Sequence, residues 1–188
     1  MTSKYALERS RRSFLKTGAV SLALIGAGGW VASHFTDKGA AVVYPDAKLL
    51  GAQAQTMLAK LADAVLDGAL PTEAEARQAE IVRVVATADA SLQALPPHIQ
   101  KETQDLLVML GVAPTRALLI GQWSGWANAS REQVGQTFSS LRNSSVDLRR
   151  AVYMGLRDLV ASCYYASPTT WESVGYPGPL LHGPGVEV

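Results

Sequence analysis

Few residues in this chain are of types that do chemistry, and their spacing assembles none of the usual sites. The three histidines, His34, His98 and His182, are far apart, and none pairs with another at the spacing of metal ligands on a helix. A single cysteine excludes C-x-x-C motifs for zinc, iron–sulfur clusters or haem. Ser124 lacks the first glycine of a G-x-S-x-G nucleophile elbow. We therefore predict no catalytic residue, no metal site and no cofactor bound by this chain itself.

Aromatic residues concentrate in the C-terminal half, next to and within a segment rich in proline and glycine. Tyr164 and Tyr165 lead directly into that segment, which contains Trp171, Tyr176 and Pro177. Aromatic side chains are enriched where one protein binds another. We predict that these five residues form a partner-binding surface. Packing of the aromatic rings inside the protein's own core is the alternative.

The N-terminal segment carries the most specific motif of the chain. Arg11 and Arg12 stand in the run Ser-Arg-Arg-Ser-Phe-Leu-Lys, which includes Phe14 and Leu15, and an apolar stretch follows from residue 17 to 32. Residues 1–33 hold five basic residues and one acidic residue, a net charge of +4, which leaves −3 on the remainder of a chain of net charge +1. The pattern resembles the bacterial twin-arginine (Tat) signal, which directs folded proteins to the periplasm. We expect a signal peptide at residues 1–33, export by the Tat translocase and a periplasmic location.

The fate of this leader stays open at the level of the sequence. Its apolar stretch is about 16 residues long and contains four glycines, whereas a membrane-spanning helix needs about 20 strongly apolar residues. No clean A-x-A cleavage site is present, so we place cleavage between residues 33 and 41 and keep an uncleaved, tethering leader as the alternative. The mildly acidic remainder has no basic cluster, and we expect no nucleic-acid partner.

Two interpretations apply to the lone Cys163 once an oxidising compartment is expected. It falls on the apolar side of the predicted last helix, where a small buried thiol is the simpler interpretation. An unpaired cysteine in an exported protein is also a candidate for an inter-subunit disulfide.

The elements that must position these residues are helices. Apolar residues recur at helical spacing along almost the whole segment after residue 49, and no segment alternates with the period of a strand for long. We predict a small all-α helical bundle at residues 34–165, which begins with an extended lead-in from His34 to Pro45. The predicted last helix starts near Ser145 and carries on one side the apolar residues Leu148, Val152, Leu156, Leu159 and Cys163.

Helix ends are marked by local signals. Thr72-Glu73-Ala74-Glu75 and Ser130-Arg131-Glu132-Gln133 both have the form of a capping box, in which a hydroxyl and an acidic or amide side chain satisfy the free backbone groups of the first turn. Gly68 is a fitting stop for the first helix, and Gly111 and Pro114 for the third. We predict a short helix followed by a turn in residues 118–126.

The last 23 residues, 166–188, differ in composition from the helical segment. They contain four prolines and four glycines, which cannot continue a helix. We predict an extended tail that docks on a partner. The alternative, to which we give equal weight, is that the tail packs on its own bundle.

The C-terminal motifs resemble those of the gluconate 2-dehydrogenase subunit 3 family. The residues that carry this resemblance are Arg149-Arg150-Ala151-Val152-Tyr153, Tyr164-Tyr165-Ala166-Ser167-Pro168, Trp171 and Gly175-Tyr176-Pro177-Gly178-Pro179. The resemblance covers the leader and about the last 45 residues, whereas residues 49–141 are similar only in helical character and length. Members of this family are small subunits of periplasmic flavin-dependent dehydrogenases.

The resemblance implies a non-catalytic subunit that binds no cofactor of its own. It implies a large FAD-containing catalytic subunit of the glucose–methanol–choline type as partner, which oxidises a sugar or alcohol and is carried through the Tat route by the small subunit. It also implies that electrons pass to a cytochrome c subunit, through which the complex associates with the membrane. The substrate does not follow from it.

Two other functions are compatible with the sequence. One is a stand-alone periplasmic binding or scaffold protein that uses the Tat route. The other is a small enzyme whose carboxylate or histidine site has no recognisable motif.

Overall fold

The computed structural model describes residues 39–178, which form six α-helices and three short 3-10 turns, with no strand among them. The predicted all-α bundle is therefore confirmed. The helices are α1 (Ala52–Val65), α2 (Ala74–Gln93), α3 (Pro97–Gly111), α4 (Ala113–Ile120), α5 (Arg131–Arg142) and α6 (Asp147–Tyr165). The 3-10 turns are Trp126–Asn128, Pro168–Thr170 and Glu172–Val174. The predicted twin-arginine leader, with Arg11, Arg12, Phe14 and Leu15, lies outside the described residues.

Helix α1 is the centre of the bundle. It packs against α2, α3, α5 and α6. Met57, Leu58, Leu61 and Ala62 are fully buried because their spacing of three and four residues places them on one helical face. Helices α2, α5 and α6 each bury a comparable stripe against it, so the core runs along the length of α1.

The segment before α1 has no regular structure and is held by buried polar side chains. The Gln55 Oε1 atom accepts hydrogen bonds from the backbone N–H groups of Val43 and Tyr44 at 2.8 and 2.9 Å. Asp89 accepts from three consecutive backbone N–H groups, those of Lys48, Leu49 and Leu50, at 2.8 to 2.9 Å. These bonds replace the ladder that a helix or sheet would supply, and they fix the lead-in against α1 and α2.

One of the two predicted capping boxes is confirmed and the other is wrong. At the start of α5, Ser130 Oγ accepts from the Gln133 N–H and Gln133 Oε1 accepts from the Ser130 N–H. At the start of α2 the cap is Glu73 rather than Thr72. The carboxylate of Glu73 folds back onto the N–H groups of Glu75 and Ala76, and these bonds lower its pKa.

Two further details differ from the sequence-based expectations. Pro114 does not end the third helix but lies in the first turn of α4, where its missing N–H costs no hydrogen bond. Leu148 is exposed because the first turn of α6 extends past the core, and the buried stripe of this helix begins at Leu156.

Candidate partner-binding site

The end of α6 supplies the first part of the predicted site. The Tyr164 ring is buried, and its hydroxyl donates a hydrogen bond to the Ala69 carbonyl at 2.7 Å. The Arg83 guanidinium lies 5.5 Å from the centre of this ring, and Arg83 Nη2 donates to the Tyr164 carbonyl at 3.2 Å. Burial raises the pKa of the Tyr164 hydroxyl. Tyr164 thus belongs to the core and not to the exposed surface predicted from the sequence, because the phase of α6 turns it toward α2.

Tyr165 and Trp171 join α6 to the tail. Tyr165 is half-buried, and its ring makes an edge-on contact with Tyr164 at a centroid distance of 5.0 Å. Trp171 Nε1 donates to the Tyr165 carbonyl at 2.8 Å. This bond satisfies a carbonyl in the last turn of α6 and orients the indole ring across the helix end.

The tail folds around Trp171. The Tyr176 ring packs edge-on against the indole at 5.3 Å, and the Tyr176 N–H donates to the Trp171 carbonyl at 3.0 Å. Gly175 and Gly178 both adopt positive φ, +68° and +96°, and a Cβ on Gly178 would lie 3.4 Å from the indole. The two glycines therefore allow the chain to turn back over the ring. We call residues 168–178 the tail cap.

The tail cap has an exposed aromatic and proline edge. Tyr176 is 48% exposed, Pro177 is exposed, and Trp171 is half-buried beneath them. An open cavity of about 400 Å³ lies at this edge, and its only ionisable lining residues are Glu172 and Tyr176. The complete lining consists of Pro168, Trp171, Glu172, Gly175, Tyr176 and Pro177. The structure thus brings together four of the five predicted residues, Tyr165, Trp171, Tyr176 and Pro177, at the end of α6. Tyr164 contacts the Tyr165 ring from the core side and is not part of the exposed edge.

Cys163 lies one residue before this group but faces the core. Its side chain is 3% exposed and forms no disulfide, and burial raises the pKa of its thiol. A thiol held in this way is protonated and shielded from a second chain. The burial interpretation fits this conformation, and an inter-subunit disulfide requires the end of α6 to open.

A second cavity, of about 380 Å³, lies between α1, α5 and α6. Phe138 and Tyr153 form its aromatic floor at a centroid distance of 5.7 Å, and the Arg157 guanidinium lies 5.7 Å from the Tyr153 ring centre. The lining residues are Ala64, Val65, Gly135, Phe138, Ser139, Arg142, Tyr153 and Arg157. The sequence gives no sign of this cavity, because its two arginines come from different helices and share no local motif.

Trp123 and Trp126, shortly after the end of α4, have opposite environments. Trp126 is buried, and its Nε1 donates to the Leu110 carbonyl at 2.9 Å. Trp123 is exposed over most of its surface. The sequence does not show which of the two tryptophans is buried. Both follow Gly121, which ends α4 at φ +77° and changes the direction of the chain, so helical spacing no longer applies to them.

Within residues 39–178, no group of three or more His, Cys, Asp or Glu side chains is arranged to hold a metal ion. Comparisons of the chain with protein-family models, with curated proteins and with solved structures found no match. The resemblance to the gluconate 2-dehydrogenase subunit 3 family consequently stays a prediction from the sequence, which rests on the leader and on the motifs between residues 149 and 179.

Proposed function

We propose that this chain is the non-catalytic small subunit of a periplasmic FAD-dependent sugar or alcohol dehydrogenase. Its role is to carry the catalytic subunit through the Tat route and to stabilise the folded, flavin-loaded state of that subunit. FAD belongs to the partner, and a cytochrome c subunit receives the electrons from it.

The observation that carries the proposal is the tail cap. The C-terminal part of the family-like motif, residues 165–178, folds into one surface at the end of α6. Trp171, Gly175 and Gly178 shape this surface, whereas Tyr176 and Pro177 are the residues that it exposes. The motif is therefore divided between residues that build a surface and residues that a partner can contact.

The chemistry of this edge suits a protein partner. Aromatic and proline side chains bury apolar area on binding and lose little side-chain entropy when a partner immobilises them. The edge carries a single carboxylate, that of Glu172. The cavity beside Tyr176 is open and shallow enough to accept a protruding side chain of the partner. An exposed aromatic residue next to such a cavity is typical of the residues that dominate binding energy.

The leader supports the same proposal from the other end of the chain. A protein exported by the Tat route folds before export, so a subunit that lacks a leader can travel with it as a complex. The twin arginines, the apolar stretch and a net charge of +4 in residues 1–33 supply the signal that such an escort needs.

Affinity purification tests the proposal. A copy of the full chain with a C-terminal tag is isolated from the native periplasm, and the product is examined by absorbance and on a non-reducing gel. We expect a large co-purifying chain with flavin absorbance bands. A band that separates only on reduction would show that Cys163 forms a bridge, and a colourless single species would overturn the proposal.

The cavity at Phe138 and Tyr153 favours a second candidate function, a stand-alone Tat-exported binding protein. Its rim carries Arg142 and Arg157, and its floor is aromatic, a combination that suits a small anionic ligand with a planar part. A monomeric, colourless product of the purification would favour this candidate.

A further inference from the structure

The segment around the bend between α3 and α4 exposes large apolar side chains. Leu106, Val108 and Met109 on α3 are 60, 57 and 38% exposed, Leu118 on α4 is 75% exposed, and Trp123 after α4 is 83% exposed. All five fall between residues 106 and 123, which we call the apolar segment. Isolated exposed apolar residues are normal on a protein surface, but a concentration of this kind marks an interaction site.

The apolar segment itself carries no exposed charge, and a neighbouring charge is that of Arg149 on α6, which lies at the Leu118 carbonyl. Between Leu106 and Ser130 the only residue with a formal charge is Arg116, which is 1% exposed. The polarity changes abruptly at Asp105, since the preceding turns of α3 include the charged residues Lys101 and Glu102. The outer surface of the bend is thus uncharged over a continuous stretch of chain.

Side chains of the protein itself bond to several backbone carbonyl groups of the apolar segment. Helix ends expose carbonyl groups that usually bind water. Here Thr115 Oγ1 shares its one hydrogen between the Met109 and Val112 carbonyls. Arg116 donates to the Gly111 and Gln122 carbonyls. Trp126 Nε1 donates to the Leu110 carbonyl and Arg149 Nη2 to the Leu118 carbonyl. The buried Arg116 alone bridges the two ends of α4. These carbonyls have donors within the protein, whereas the buried Gln122 Oε1 atom accepts no hydrogen bond from the described residues.

Internal hydrogen bonds of this kind are a requirement for a segment that contacts lipid. A protein partner can donate hydrogen bonds to free carbonyls, whereas hydrocarbon cannot, so a segment that enters lipid must bring its own donors. An exposed tryptophan is also the residue that prefers the boundary between lipid headgroups and acyl chains. No single helix among residues 39–178 is long and apolar enough to cross a membrane, but α3 and α4 together pass by length and composition, with a bend of 93°.

We propose that the apolar segment is a membrane-binding element that inserts into the interface of a lipid bilayer without spanning it. Leu107, Leu110 and Ile120 on the inner sides of α3 and α4 belong to the protein core, so the helix pair stays with the bundle. Only the outer side chains enter the lipid. The segment itself has no exposed cation, and the neighbouring Arg149 donates to the Leu118 carbonyl, so binding depends mainly on apolar burial rather than on anionic headgroups.

The apolar segment and the tail cap lie at opposite ends of α6, so membrane binding by the segment would not cover the tail cap. Arg149 contacts the end of α4 near the start of α6, and Tyr165 ends α6 at the tail cap. At a rise of 1.5 Å per residue the two points are about 24 Å apart along the helix. The subunit can thus lie on a membrane at one end and hold a partner at the other. Membrane binding goes beyond the proposed function, and its test does not depend on that function.

A position-specific probe tests the proposal in the full chain, whose apolar leader is itself a second candidate for lipid binding. The variant L118C is labelled with an environment-sensitive fluorophore, which the shielded Cys163 does not take up. The labelled protein is mixed with phosphatidylcholine vesicles, with and without phosphatidylglycerol and with a lipid-borne quencher. We expect a blue shift and quenching at position 118 in both lipids, insensitive to added salt. A label at the exposed Val42 is the matched control and should stay in water.

A pair of variants measures the contribution of the segment. Replacement of Leu118 and Trp123 by serine removes the two most exposed apolar side chains and should lower vesicle partitioning about tenfold, with an unchanged helical signal. The matched control, V42S with V174S, removes two other exposed apolar residues and should leave partitioning unchanged.

Three results would overturn the proposal. Vesicle binding without any change at position 118 would assign lipid binding to the leader. A blue shift at position 118 that appears without lipid and grows with protein concentration would assign the segment to a second copy of the chain. Protection of the label only on addition of the flavoprotein would assign it to that partner.

Discussion

Asp89 shows how much of this fold depends on a single carboxylate. Its Oδ1 atom accepts from the Leu49 and Leu50 N–H groups, and Oδ2 accepts from the Lys48 N–H at 2.9 Å and from Gln93 Nε2 at 2.6 Å. In the variant Asp89→Asn, one acceptor becomes an NH₂ group that faces backbone donors. We expect a loss of about 3 kcal/mol in the free energy of unfolding at pH 7, measured by urea denaturation. Asp46→Asn, in the same segment but exposed, is the control and should change little.

The contribution of Asp89 also depends on pH. Burial raises the pKa of this carboxyl group, but the three backbone N–H groups and Gln93 more than offset that effect, so the pKa lies below its usual value. A lowered pKa in the folded state stabilises the protein above the unfolded pKa of about 3.9 and ceases to do so as the pH falls through the folded value. The stability difference between the native protein and Asp89→Asn should therefore shrink below about pH 4. A constant difference down to pH 2 would contradict this account.

The burial of Cys163 predicts its reactivity. Because the side chain is 3% exposed and burial raises the pKa of the thiol, little thiolate forms and reagents cannot reach it. We expect a thiol reagent to modify the folded protein slowly at pH 8 and to react at once in urea. Rapid reaction of the folded protein would show that the end of α6 opens, which is the condition for a disulfide to a partner.

At the scale of the elements, the two helix starts give a paired prediction. Ser130→Ala removes the hydroxyl of a complete capping box and should lower stability by about 1 kcal/mol. From the sequence alone, Thr72→Ala would be expected to lower stability by the same amount. We expect it to change the free energy of unfolding by less than about 0.5 kcal/mol, because the carboxylate of Glu73 is the cap. Thermal unfolding followed by the helical circular-dichroism signal measures both variants.

The tail cap gives a second paired prediction. Tyr176→Ala removes an exposed ring and should weaken binding of the large subunit about tenfold or more while the thermal midpoint hardly moves. Tyr164→Phe removes the hydroxyl that donates to the Ala69 carbonyl and should instead lower the free energy of unfolding by about 1 to 2 kcal/mol. Partner binding should be retained at temperatures below the thermal midpoint of this variant. If Tyr176→Ala unfolds the chain, the exposed edge is structural and the partner surface lies elsewhere.

The sequence predicted those parts of the fold and site that depend on neighbours in the chain. Helical spacing predicted the long helices, and the capping box predicted the start of α5. The role of Asp89 could not be predicted because its partners lie about forty residues away and have no side-chain signature. The motif around Tyr164 located the tail cap, but which ring faces inward depends on the phase of α6 against α2, and that is decided by packing.

For the whole molecule, α6 connects two surfaces of different chemistry. The tail cap at its C-terminal end is aromatic and proline-rich, and the apolar segment near its N-terminal end is uncharged. A rigid helix between them fixes the distance at which a bound enzyme would stand from a membrane. If both proposals hold, vesicles should bind the flavoprotein only when this subunit is present, and the serine variant of Leu118 and Trp123 should release both proteins together.

The proposed export involves the whole molecule, and the twin arginines give its sharpest test. Replacement of Arg11 and Arg12 by lysine keeps the charge of the leader at +4, so any effect reports the guanidinium groups and not the charge. We expect both this chain and the flavoprotein to stay in the cytoplasm, with flavin bound, because the complex forms before export. Periplasmic dehydrogenase activity should fall to background, whereas the control Arg9→Lys, outside the pair, should leave it unchanged. Normal periplasmic activity of the double variant would contradict the escort role, even if the two subunits still bind each other.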